Sequence, residues 1–221
     1  EYKPLKLSPV FAHKLNDQQI SRGVHLGWVS YRDESYFDCL KVLPEGCNLL
    51  FKDGSAAVAK YWNIDTARKY QGTFEDKRQR FRELFEESIK LHRRSDVEVG
   101  GLLSGGLDSG SIASIIGAQY GGVPFKTFTV YYQGKHQMDE RPWVNDVVAR
   151  YHNLNPFYYS PSDDEIGEAF ENVIEAHDVP IATSAPVNFY FAMKLACTHK
   201  IKVILDGQGS DEYLAGYPWS A

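Results

Sequence analysis

The stretch LLSGGLDSGS, Leu102 to Ser111, gathers three glycines and three serines around one aspartate, Asp108, between an apolar run and a run of helix formers. Glycines there let the backbone fold closely around an anion. Ser104 and Ser109 offer hydroxyl groups, and a helix starting at this point aims its free N–H groups and positive dipole end at the same place. That combination is a phosphate cradle. Gly101 and Gly106 have the separation of a Walker A loop, but Leu107 stands where that loop needs lysine. The dinucleotide pattern Gly-x-Gly-x-x-Gly and the nucleophile elbow Gly-x-Ser-x-Gly are both missing from the stretch. Asp108 would repel a phosphate unless a cation such as Mg²⁺ sat between them. The plain alternative is a glycine turn whose aspartate caps a helix.

A second loop shifts that balance. In DGQGSDEYLAGY, Asp206, Asp211 and Glu212 cluster with Gly207 and Gly209 directly after the apolar run IKVIL. Two acidic loops at the ends of parallel strands can converge on one metal–phosphate group, with Asp108 and Asp211 as the natural pair of ligands. Either loop alone reads as a solvated polar turn.

The elements that would position these loops alternate along the chain. VEVGGLL, FKTFTVYY, PFYYS and IKVILD read as strands. Between and after them, DSGSIASIIGAQY, DERPWVNDVVARYH, DDEIGEAFENVIEAH and PVNFYFAMKLACTHK read as helices. Gly121 and Gly122 stop the first of these helices, and Pro186 opens the last. The pattern predicts an α/β fold, a parallel sheet with helices on both faces. Upstream, TFEDKRQRFRELFEESIKLHRRS spaces Phe74, Phe81, Leu84, Phe85 and Ile89 as on a helix, and Thr73 with Asp76 resembles a capping box. Residues 1–70 differ in texture. Short runs such as VHLGWVSY and CNLLFKDGS, with turn signals at Pro44–Gly46 and Asp53-Gly54, predict short antiparallel strands and loops.

Bulk properties narrow the function classes. The chain has 221 residues, 43% hydrophobic and 14% aromatic, enough to bury a core. A formal charge of −5 argues against a general polyanion binder, and no run approaches the roughly 18 apolar residues of a membrane span. Cys39, Cys47 and Cys197 form no disulfide or zinc pattern and are expected to be reduced thiols in a cytoplasmic protein. His13, His25, His92, His136, His152, His177 and His199 lack metal-ligand spacing. Thr183 and Ser184 precede a helix, where capping competes with a role facing an acceptor substrate. The first residue is not Met and the last segment is GYPWSA, so the chain is expected to be part of a longer protein, cut at both ends.

SGGLDS resembles the PP-loop of the N-type ATP pyrophosphatases. Together with VILDGQGSDEYLAGY it resembles the synthetase domain of glutamine-dependent asparagine synthetases. DESYFDCLKVLPEG followed by Tyr61-Trp62 is similar to the end of that family's amidotransferase domain and its connector, and MDERPWVNDVVARYH to the helix after its second strand. The resemblance implies an adenine nucleotide alpha hydrolase-like fold over residues 71–221, preceded over 1–70 by a short β-rich remnant of an amidotransferase domain. It implies ATP with its pyrophosphate on Ser104, Gly105, Gly106, Leu107, Asp108 and Ser109, the adenosine along Leu102, Val130 and Gly207, and Mg²⁺ on Asp108 and Asp211. The implied chemistry is attack of a carboxylate (aspartate or a related acid) on the α-phosphorus, giving an acyl-adenylate and pyrophosphate, then attack by ammonia or an amine. Implied partners are that small carboxylate, glutamine or ammonia through an N-terminal domain, and a second copy in a homodimer; nucleic acid and membrane are not expected. The family's N-terminal Cys nucleophile and a downstream lysine have no counterpart in these residues, and Gln208 stands where asparagine synthetases have Glu. Gln208 and Glu212 are the remaining catalytic candidates; glutamine cannot take a proton as a carboxylate does. The rival readings are a nucleotide-binding or interaction module derived from the family without catalysis, and a hydrolase or deaminase using the strand-end carboxylates.

Overall fold

The computed structural model describes residues 2–134 and 139–217. Two expectations fall outside them: His136, and Met138 at the head of the MDERPW segment. So do the last residues of the chain, 218–221. The described residues fall into two compact units, one from 2–70 with Glu168–Pro186, the other from Gln71–Gly167 with 187–217.

In the first unit, α1 (Lys3–Lys6) is followed by α2 (Asp17–Leu26) and by a hairpin of β1 (Cys47–Lys52) and β2 (Ser55–Lys60). The hairpin pairs antiparallel from Cys47↔Lys60 to Lys52↔Ser55, and its two-residue turn is Asp53-Gly54, both at positive φ. VHLGWVSY is not a strand, contrary to its composition. Asn16 caps α2 by accepting from Gln19 N at 3.1 Å, and Val24–Leu26 form the last turn before Gly27 ends it at φ +69°. Cap and stop outweigh the strand preference of the valines and aromatics.

The second unit is a layered α/β domain. Its elements are α3 (Phe74–His92), β3 (Val99–Leu102), α4 (Leu107–Gln119), β4 (Phe125–Val130), α5 (Arg141–Arg150), β5 (Leu154–Tyr159), α6 (Asp163–His177), α7 (Ala185–Thr198), β6 (Val203–Leu205) and α8 (Ser210–Leu214). Helix α6 divides between the two units after Gly167. The sheet is parallel throughout in the order β5-β4-β3-β6. Side chains alternate across it. On one face Leu103, Phe125 and Leu154 pack with Ile89 of α3, Ala113 and Ile116 of α4 and Val144 of α5. On the other, Phe128 packs with Ala196 of α7 and with Ile201. Helices thus cover both faces, as the strand–helix alternation predicted.

Gly100 and Gly101 in β3 are small for a packing reason. A Cβ at Gly100 would lie 2.8 Å from the Phe128 ring, and one at Gly101 would lie 2.9 Å from the Phe125 ring. Two aromatic rings from β4 therefore clamp the strand that delivers the first loop. Helix α3 begins with the expected capping box: Thr73 Oγ1 accepts from Asp76 N at 3.2 Å while Asp76 accepts from Thr73 N at 2.8 Å. Of its apolar spacing only Ile89 is fully buried; Phe74, Phe81 and Leu84 are exposed.

Candidate functional site

Strands β4 and β5 lie on one side of β3 and β6 on the other, so the chain reverses its direction of travel across the sheet between β3 and β6. In open parallel sheets ligands bind beyond the carboxyl ends of the strands at such a reversal. Both singled-out loops leave from there. β3 and β6 are in register from Val99↔Val203 to Gly101↔Leu205, which sets residues 103–106 and 206–209 side by side.

Contact between the loops is close. A Cβ on Gly207 would lie 2.7 Å from Asp108 Cβ and 2.9 Å from Ser109 N. Only glycine lets the second loop settle this deeply on the first turn of α4. The first loop is held from within. Ser104 N donates to Ser109 Oγ at 3.1 Å, the two hydroxyls are 3.0 Å apart, and Ser109 is buried. Gly105 turns the chain at φ +78° and the first turn of α5 stands on it: a Cβ there would lie 2.9 Å from Glu140 O and 3.3 Å from Trp143 Cβ. Burial pushes the Glu140 carboxyl above the usual carboxylate range. Gly106 is the N-cap of α4 and brings no side-chain acceptor. Helix geometry leaves the N–H groups of the first turn without acceptors inside the helix, and the dipole adds positive potential there.

The expected site residues are therefore distributed as follows. Ser104, Gly105, Gly106, Leu107, Asp108 and Ser109 line one turn and one helix start, with the Leu107 side chain 88% exposed at its rim. Leu102 and Val130 are half-buried at the ends of neighbouring strands β3 and β4, and Leu102 packs on the Phe128 cluster. Gln208 N donates to Asp206 Oδ1 at 3.0 Å, which forms the turn that carries Gly207 into place. Asp211 lies in the first turn of α8, its carboxylate over the backbone of Gly216. Glu212 accepts from the Tyr217 hydroxyl at 3.0 Å, and that bond raises the tyrosine's pKa.

The glycine-walled turn, paired hydroxyls and uncapped helix start fit a phosphate group. Among the described residues no group of three or more His, Cys, Asp and Glu side chains gathers to hold a metal ion. Asp108 lies beneath Gly207 in the first turn of α4, while the Asp211 carboxylate lies over Gly216; Mg²⁺ needs only one or two carboxylates when phosphate oxygens and water complete its shell. Thr183 Oγ1 accepts from Ala185 N at 3.3 Å at the start of α7, and Cys39, Cys47 and Cys197 are free thiols. No helix among the described residues is long and apolar enough to cross a membrane. One feature is not marked by any motif. Thr129 of β4, buried within the sheet, donates its hydroxyl to Leu103 O at 2.6 Å, directly before the cradle.

Comparison with known proteins matches residues 80–221 to the asparagine synthase family. Glutamine-hydrolysing asparagine synthetase 3 of Bacillus subtilis is 23% identical over 99% of this chain and 37% of its own length. Glutamine-hydrolysing asparagine synthetase 1 of the same organism is 32% identical over 80% of the chain and 27% of its own length. Glutamine-hydrolysing asparagine synthetase 2 of Arabidopsis thaliana is 31% identical over 62% of the chain and 25% of its own length. The chain thus spans a quarter to two fifths of the length of these relatives.

Proposed function

The chain belongs to the asparagine synthase family, and from that premise we propose that its second unit binds ATP and activates a carboxylate for amide formation. The observation that carries this reading is the seating of Gly207 against Asp108 and Ser109 N where the sheet's connection order reverses. It sets two acidic, glycine-rich loops around one turn suited to a pyrophosphate.

In this reading Ser104, Gly105, Gly106, Leu107 and Ser109 hold the β- and γ-phosphates through backbone N–H groups and hydroxyls. Leu102, Val130 and Gly207 border the adenosine. Asp108 and Asp211 would hold Mg²⁺, which supplies countercharge to the phosphates. A carboxylate oxygen of the substrate attacks the α-phosphorus, and the bond to the bridging oxygen of pyrophosphate breaks. Ammonia or an amine then attacks the acyl carbon and AMP leaves. The protein's part is to position the nucleotide and to stabilise charge on the leaving group, so no side-chain nucleophile is required. Gln208 and Glu212 border the reacting end of the second loop. Gln208 can orient a group by hydrogen bonding but cannot act as a base. Aspartate or a related acid is the substrate class, with glutamine-derived ammonia or an amine as nitrogen donor.

ATP–pyrophosphate exchange by the full-length protein across a panel of carboxylic acids tests the proposal. The expected result is Mg²⁺-dependent exchange with a particular acid. Silence with every acid while ATP still binds would contradict it and favour a nucleotide-binding module without catalysis.

A further inference from the structure

We propose that Thr129 is a positioning residue for the phosphate cradle, acting through the carbonyl of Leu103; this rests on the reading of residues 104–109 as that cradle. Leu103 is the last residue before the turn and is fully buried. Its N–H donates to Phe128 O at 3.0 Å, and its carbonyl accepts from Thr129 Oγ1 at 2.6 Å. Consecutive residues of β4 therefore hold both polar groups of Leu103. The peptide plane between Leu103 and Ser104 is thereby set, and with it the direction of Ser104 N–H, which reaches Ser109 Oγ at 3.1 Å. Rotation of that plane turns Ser104 N–H away from Ser109 Oγ and loosens the tie between the turn and the start of α4. Thr129 itself is buried, on the sheet face of Phe125 and Thr127, so its hydroxyl shapes the cradle through Leu103 without touching the ligand.

The same strand contains its own control. Thr127 is two residues earlier, on the same face and fully buried, yet its hydroxyl has no hydrogen-bond partner among the described residues. Thr→Val at either position makes the same chemical change, a hydroxyl exchanged for a methyl group. At Thr127 it removes an unsatisfied polar group, and at Thr129 it removes the bond to Leu103.

The test is calorimetric titration of inorganic pyrophosphate with Mg²⁺ into the full chain and its variants, at a temperature where thermal melts show all of them folded. Thr129→Val should weaken binding about tenfold, in line with loss of one buried hydrogen bond. Thr129→Ser, which keeps the hydroxyl, and Thr127→Val should bind like the parent. If Thr129→Val melts too low to titrate, the Ser and Ala variants at 129 give the same comparison from a smaller side chain. Equal binding by Thr129→Val and Thr127→Val overturns the inference and leaves the cradle standing, as does a Thr129→Ser variant as weak as its hydroxyl-free counterpart. Absence of binding by the unsubstituted chain overturns the cradle reading, and the inference with it.

Discussion

Substituting Gly207 by alanine adds one methyl group where the two loops meet. That methyl carbon would lie 2.7 Å from Asp108 Cβ, 2.9 Å from Ser109 N and 3.1 Å from the Asp108 carbonyl carbon. Carbon–carbon contacts are comfortable at about 3.5–4.0 Å, so the loops must part by roughly 1 Å. The obstructing atoms are backbone and a Cβ, which cannot swing aside as a flexible side-chain end could. Overpacking of this kind costs about 1–3 kcal/mol. For a chain of this size that lowers the melting temperature by about 3–10 °C. The functional loss should exceed the stability loss, because a displacement of about 1 Å between groups sharing one ligand can cost about a hundredfold. Thermal melts and calorimetric titration with ATP and Mg²⁺ would be run in parallel on Gly207→Ala and on Gly122→Ala, whose added Cβ meets nothing within 4 Å. Gly122→Ala should stay within about 0.5 kcal/mol of the parent. A Gly207→Ala variant with parental melting temperature and parental ATP affinity would refute the claim that the loops meet here.

Other substitutions probe the remaining parts. Ser109→Ala removes the acceptor for Ser104 N and the partner of its hydroxyl, so stability should fall by about 1–3 kcal/mol and pyrophosphate affinity with it; denaturant melts and titration check both. Glu212→Gln should leave Mg²⁺-ATP affinity unchanged, because Glu212 is spent on the Tyr217 hydroxyl, and lost binding would place Glu212 in the metal site. The Asp76 carboxyl is held below the usual carboxylate range by the Thr73 hydroxyl and N–H. Its contribution to stability is present above the unfolded-state pKa and fades as pH drops through the lowered folded-state value. Thr73→Ala should therefore lower the melting temperature at neutral pH and flatten the acid side of the melting-temperature profile; an unchanged profile would refute the capping role.

The layered domain was legible because its signals are local. Gly, Pro and Asp punctuate apolar runs at the spacing of strand and helix, and Thr73 and Asp76 announce the start of α3. VHLGWVSY misled because β-branched and aromatic residues suggest a strand wherever they cluster, whereas Asn16 and Gly27 decide the helix by single positions. Convergence of the two loops was legible from their places at strand ends, but not the contact through which they meet. It depends on β6 pairing with β3 across about a hundred residues of intervening chain, and Gly207 looks like any turn glycine until Asp108 lies beneath it. Thr129 was hidden for a similar reason, since FTV reads only as strand and its hydroxyl's partner comes from the neighbouring one. The exposed Phe74, Phe81 and Leu84 show a further limit: helical spacing marks an apolar face without saying what packs on it.

The proposed function requires Asp108 and Mg²⁺ to share the phosphate cradle. Titrating ATP into the chain with and without Mg²⁺, beside the Asp108→Asn variant, tests it most directly. The expected result is one-site binding that requires Mg²⁺ and is lost in Asp108→Asn with the fold intact. Binding indifferent to Mg²⁺, or undiminished in Asp108→Asn, would contradict it.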